Sequence, residues 1–158
     1  MPLSYSALGS SLASDWLVAE GGENPASPTE SGERFAGAVA SWFGQATAGG
    51  FPCSTASARR SQLAAGAGGA FGANDANLAG AQLAIALMGY MAGQLFGAGV
   101  ASPPTAVGAA QAAFTATFLD LDPANWPRAD RIAAGVHTLA ISTIVVFPPP
   151  IGAPSPVT

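Results

Sequence analysis

Residues 76–119, between Asp75 and Asp120, carry no formal charge at all. A stretch of that length must be buried, in lipid or in a protein interior, because its apolar side chains lose too much free energy in water. The lipid reading is a Gly-rich helical hairpin: Leu83 to Val100 is about the length of a membrane span, and Gly89, Gly93 and Gly97 recur every four residues, the spacing that lets helix backbones approach closely. Against it stand Gln82, Gln94 and the interruption at Ser102-Pro103-Pro104. No Lys or Arg flanks the stretch to set an orientation. A buried helix of a non-membrane domain is therefore preferred, with a small membrane-active protein as the alternative.

The rest of the composition narrows the choice further. With 158 residues, 49% of them apolar, the chain can build one core. Residues 1–147 read as a single helical domain and 148–158 as an extended, Pro-rich C-terminal arm. Charged residues make up only 9%, against about 25% in an average soluble domain. Five Arg, no Lys and a net charge of −4 exclude a nucleic-acid partner, which needs several cations for the phosphates. A single Cys forms no intrachain disulfide and no four-ligand Cys/His zinc site. No cation precedes Arg34, which reads against a secretory signal. Pro2 in place of Gly and the absence of a C-terminal Cys read against lipidation.

The helical pattern dominates. Leu8, Leu12 and Trp16 lie on one face of a helix spanning Ser4 to Glu20. Ser27-Pro28-Thr29-Glu30 is a helix start, with Ser27 as N-cap, Pro28 at the first turn and Glu30 reaching back to the Ser27 amide. The helix it opens shows Phe35, Val39, Trp42, Phe43 and Ala46 on one face and ends at Gly49-Gly50-Phe51-Pro52. Ala56 to Ala65 reads as a short helix, and the glycines 66–72 as a loop. Asn74 or Asp75 caps a long central helix. Ser102-Pro103 opens a fifth, and Asn125 or Trp126-Pro127 a sixth, running through Ile132, Val136 and Leu139. Ile141 to Phe147 is rich in β-branched residues and straightens. The fold class read from this pattern is all-α, with about six helices.

A shift of 75 residues lays Leu3, Leu8 and Leu12 on Leu78, Leu83 and Leu87, and Ala26-Ser27-Pro28 on Ala101-Ser102-Pro103. The match suggests two pseudo-repeated three-helix halves, 1–72 and 73–147.

No constellation for catalysis, cofactor or metal emerges. Nothing in the sequence brings Cys53 to His137, the lone imidazole. Cys53 has no cation nearer than Arg59 to activate it. The carboxylates lack the spacing of a calcium loop, and Gly66 to Gly72 lacks the Lys-Ser/Thr of a phosphate loop. The expectation is no enzyme, no cofactor and no metal. What remains is binding by shape. The candidate interface residues are Trp16, Trp42, Phe51 and Trp126, as large aromatic anchors, and Phe147, Pro148, Pro149, Pro150 and Ile151, as a stiff arm laid along a neighbour. Val145-Val146-Phe147 could add to a neighbour's sheet as a strand.

Three stretches carry a resemblance: Ser10-Ser11-Leu12-Ala13-Ser14-Asp15-Trp16-Leu17, Asn77-Leu78-Ala79-Gly80-Ala81-Gln82-Leu83, and Val136-His137-Thr138-Leu139 followed by Val145-Val146-Phe147-Pro148. In style the chain resembles the small Ala/Gly-rich structural proteins of tailed-bacteriophage virions. The resemblance implies a multi-copy virion component of capsid, neck or tail, whose partners are other copies of itself or neighbouring virion proteins. It transfers no catalytic residue.

Overall fold

The computed structural model describes residues 3–17, 22–121, 125–150 and 152–158. Six helices account for most of it: α1 (Tyr5–Ser11), continued by a π-helical segment Leu12–Trp16, α2 (Pro28–Phe43), α3 (Arg60–Phe71), α4 (Ala76–Met91), α5 (Val107–Leu119) and α6 (Asn125–Ile141). The helix-rich expectation holds, and small antiparallel sheets are added to it. Six short strands punctuate the helices: β1 (Thr47–Ala48), β2 (Phe51–Pro52), β3 (Leu95–Phe96), β4 (Gly99–Ala101), β5 (Ile144–Val146) and β6 (Ser155–Pro156).

The strands pair antiparallel as β1 with β2 and in the order β3-β4-β5-β6. The two sheets are joined at both edges. Cys53 bridges to Phe96, which links the β2 end to β3, and Thr47 and Thr158 exchange backbone hydrogen bonds of 2.9 Å each, which links β1 to the end of β6. The strands thus run in a closed circuit without a free edge, the arrangement that protects short strands from pairing with other chains.

This circuit has a local threefold repeat. The amides of Ala46, Gln94 and Thr143 donate to the carbonyls of Phe43, Met91 and Ala140, where each even-numbered helix turns into its hairpin. The amides of Cys53, Ala101 and Val157 donate in turn to Ala46, Gln94 and Thr143. Those of Ser54, Ser102 and Thr158 donate to Leu95, Ile144 and Thr47 at 2.9, 2.8 and 2.9 Å. Positions 46, 94 and 143 are 48 and 49 residues apart, and the core repeats in the same steps: Phe35, Leu83 and Ile132, then Val39, Leu87 and Val136, then Trp42, Tyr90 and Leu139 are all buried. The unit is helix, hairpin, helix: α2-β1-β2-α3, α4-β3-β4-α5, and α6-β5-β6 completed by α1 from the other end of the chain. Each helix packs on its neighbours in the circle, α1 closing it between α6 and α2.

The two-half repeat is therefore corrected. A shift of 75 residues superposes α1 on α4, yet the two run in opposite senses. Trp42 donates its indole N–H to the Ser4 carbonyl at 2.8 Å and His137 Nε2 lies 3.2 Å from the Leu3 carbonyl, which fixes the start of α1 at the hairpin end. α4, in contrast, ends there. The leucine matches that suggested the shift reflect a common helical spacing and carry no common direction.

Local chemistry explains most boundaries. The Ser27 hydroxyl caps α2 by accepting from the Glu30 amide at 3.1 Å, and the Glu30 carboxylate accepts from the Ala26 amide at 2.8 Å, one residue earlier than the expected box. Of the two candidate caps for α4, Asp75 serves, accepting from the Leu78 amide at 2.9 Å. Both α2 and α4 end earlier than their apolar periodicity suggests: α2 stops at Phe43, and α4 at Met91, where Ala92 is extended and Gly93 (φ 77°) left-handed, while Gly49 (φ 57°) and Gly97 (φ 60°) take left-handed conformations in the hairpin turns further on. Ser102-Pro103 opens no helix. Ser102 is still donating to Ile144, and α5 begins at Val107, after the Ala106 amide donates to the Ser142 hydroxyl at 3.2 Å.

Candidate interaction surface

The largest departure from the sequence reading is α3, whose second half contains the glycines expected to form a loop. Each Gly costs about 1 kcal/mol in a helix relative to Ala, and here the cost is offset by tight packing of α3 on α2. A Cβ on Gly32 would lie 2.4 Å from the Ala64 carbonyl oxygen and 2.5 Å from the Gly68 amide nitrogen. One repeat on, a Cβ on Gly80 would lie 2.8 Å from the Thr115 amide nitrogen. Small residues at this crossing let the paired helices touch backbone to backbone.

The expected Gly89, Gly93 and Gly97 stripe does not form one helix face. α4 ends at Met91, and Gly93 (φ 77°) and Gly97 lie in the turns of the second hairpin, so the stretch Leu83–Val100 is helix as far as Met91 and a β-hairpin beyond it. No helix among the described residues is long and apolar enough to cross a membrane.

Three of the candidate interface residues, Trp16, Trp42 and Phe147, are core residues. The Trp16 indole stacks on Phe71 at 4.8 Å, meets Phe35 edge-on at 5.2 Å and donates to the Ser31 hydroxyl at 2.7 Å. With Phe118, which meets Phe71 at 6.3 Å, these rings close the end of the bundle remote from the hairpins. Trp42 is buried against His137 and Phe43. Phe147 is buried beside Gly49 and Gly99, its ring 5.7 Å from that of Phe51. Phe51, Trp126, Pro148, Pro149 and Pro150 are exposed, and Ile151 lies outside the described residues.

The C-terminal segment is a working part of the fold. β5 pairs with β4 and β6 with β5, Val157 is buried, and Thr158 joins β1. Val145-Val146-Phe147 therefore completes its own chain's sheet, and a free arm that grips a neighbour is corrected to a strand that closes the circle. Deleting Phe147 to Thr158 would remove part of the core along with any contact surface.

His137 sits at the hairpin end of α6, between Tyr5 and Trp42, with ring centroids 6.0 and 6.2 Å away. Cys53 is instead in a buried cluster at the joint between β2 and β3. Gln94 Oε1 accepts from the Thr55 hydroxyl at 2.5 Å and from the Cys53 thiol at 3.6 Å, while Gln94 Nε2 donates to the Tyr90 carbonyl at 2.9 Å. The Tyr90 hydroxyl donates to the Ala56 carbonyl at 3.0 Å. Burial pushes the Cys53 thiol up from its ordinary value, and burial chiefly raises Tyr90 too. The Arg59 guanidinium donates to the Ala92 and Gly89 carbonyls at the end of α4, complementing the negative end of that helix. Among the described residues no group of His, Cys, Asp and Glu could hold a metal ion.

The surface that sequence reasoning missed is the outer face of the strands. Leu95 stands directly opposite Val100, Val100 opposite Val146, and Ile144 opposite Pro156. Residues opposite one another share a face, so these side chains form one apolar row across four strands. Leu95 is 39% exposed, Val100 48%, Ile144 36% and Val146 52%. The inner partners Phe96, Ala101 and Val145 are buried. The available signal was apolar residues at both parities of Leu95-Phe96 and Ile144-Val145-Val146, a strand apolar on two faces. The segments that build the hairpin end, 44–58, 92–106 and 142–158, hold no charged side chain, and every Asp, Glu and Arg lies outside them.

No family model, curated protein or solved structure matches the chain.

Proposed function

We propose that the protein is a non-enzymatic assembly component, a multi-copy structural part of a tailed-bacteriophage particle, working through contacts with other copies of itself or with neighbouring virion proteins. The observation that supports an assembly role is the uncharged hairpin end with its exposed apolar row. Contiguous exposed apolar rows on an uncharged surface commonly mark contacts with other proteins. The place in a virion rests on the resemblance of Ser10 to Leu17, Asn77 to Leu83 and Val136 to Pro148 to small Ala/Gly-rich virion proteins. Quantitative mass spectrometry of phage particles purified on a density gradient tests it. A fixed ratio of several copies per particle is expected, and absence from particles whose host expresses the chain would overturn the virion reading.

A further inference from the structure

We infer that the row Leu95–Val100–Val146–Ile144 is a self-association face, on which the same row of a second copy packs sheet to sheet. The inference deepens the assembly role and rests on it for its biological meaning, though its test is independent of any virion.

The row is contiguous because the strand register makes it so. Leu95, Val100 and Val146 are successive cross-strand neighbours, and Ile144 lies two residues from Val146 on the same face. An exposed sheet face of this kind is best covered by another sheet about 10 Å away, with side chains of the two rows interdigitating. A twofold axis through the row supplies that partner from the same chain.

The distribution of charge favours a second copy over other occupants. Each copy carries a net charge of −4, so most approaches between copies bring carboxylates together. The hairpin end is the exception, since its segments 44–58, 92–106 and 142–158 contain none of the nine acidic or five basic side chains. Two copies meeting there hold their charges at opposite ends of the pair. A charged partner finds no counter-charge in these segments, and the cation beside them, Arg59, is engaged by the Ala92 and Gly89 carbonyls. An anionic lipid surface finds no Lys or Arg in these segments to attract it. The row is small beside the roughly 800 Å² per partner of a stable complex, so the pair is a reversible one.

Sedimentation velocity of the full chain, from about 10 μM to about 500 μM, a range set by the affinity of small interfaces, provides the test. The parent chain is expected to shift from monomer to dimer across the series. Val100→Asp and Val146→Asp each set like charges on the face and are expected to hold the chain monomeric throughout, with an unchanged far-ultraviolet circular dichroism spectrum. Ile85→Asp, on the exposed side of α4, is expected to dimerise like the parent. A parent chain that stays monomeric at the highest concentration overturns the inference. So does a dimer that survives in a folded Val100→Asp or Val146→Asp chain, or one that Ile85→Asp abolishes. If one substituted chain fails to fold, the other decides. Dimers from a chain absent from phage particles would uphold this face and reject the virion role.

Discussion

Gly32 shows how one residue can hold two helices in register. Replacing it with Ala would gain about 1 kcal/mol of helix propensity, but the new methyl would press on the Ala64 carbonyl and the Gly68 backbone at 2.4 to 2.8 Å. Backbone cannot rotate away as a side chain can, so the clash outweighs the gain. Gly32→Ala is expected to destabilise the fold by about 2 kcal/mol, within the usual range for overpacking, measured as a lowered denaturant midpoint. Asp75→Ala removes the α4 cap and is expected to cost about 1 kcal/mol, read in the same assay. Cys53 and Tyr90 act together on pH. Both are held protonated by burial, so their folded values lie above the unfolded ones and the stability they contribute is lost as pH rises past the ordinary thiol range. Thermal unfolding between pH 7 and pH 10, with a Cys53→Ala chain for comparison, is expected to show the parent losing more stability. The Cys53 thiol is also expected to resist alkylation at pH 8 until denaturant is added.

At the scale of elements, the three hairpins are joined by equivalent backbone bonds, and the joint between β2 and β3 buries a side-chain amide. Gln94 occupies the place held by Ala46 and Thr143 in the other units, and Thr55 both donates to it and accepts from the Leu95 amide at 2.9 Å. Thr55→Val is expected to cost about 1–3 kcal/mol, the range for leaving a buried polar group short of a partner, visible as a lower melting temperature. The helices were legible where periodicity and caps agree: Ser27 and Asp75 announce α2 and α4, and Ile132, Val136 and Leu139 mark the buried face of α6. The second half of α3 was not, because Gly68 packs on the start of α2 and Gly66 on Ala86 of α4, and the local sequence records only their propensity. Five of the six strands were equally hidden. Two-residue strands such as Thr47–Ala48 have no period to detect, and although each such strand of the first two hairpins pairs with its own hairpin's other arm, the bonds that join one hairpin to the next link residues far apart in the chain. The threefold repeat was masked in the same way. Its buried positions keep size and apolarity but not identity, as Trp42, Tyr90 and Leu139 illustrate, while Ser102-Pro103 imitates Ser27-Pro28 and points to the wrong spacing. Of the interface residues, Phe51 and Pro148 to Pro150 are exposed on the hairpin end, whereas Trp16 and Trp42 were drawn from residue type and Phe147 from the Pro-stiffened arm, and the core claims all three.

The molecule as a whole is a circle of three helix-hairpin-helix units whose third unit is assembled from the two ends of the chain. Its acidic and basic side chains gather on the helical part and its neutral, apolar surface on the hairpins, which gives the chain a definite face for contact. The circle makes a direct demand on connectivity. Six residue steps separate Ser54 from the start of α3 at Arg60, and five separate Ser102 from the start of α5 at Val107. Joining Thr158 to Met1 would place the start of α1 at Tyr5 five steps after Thr158. The most direct measurement is therefore the thermal unfolding of a circular permutant that makes this join and opens the chain between Ala73 and Asn74, in the connection from α3 to α4. A closed circle predicts the parent's helical spectrum and one cooperative transition within about 10 °C of the parent's, the shift that one or two kcal/mol produce in a domain of this size. A permutant without cooperative unfolding, beside a parent that unfolds in one step, would contradict the closed threefold arrangement.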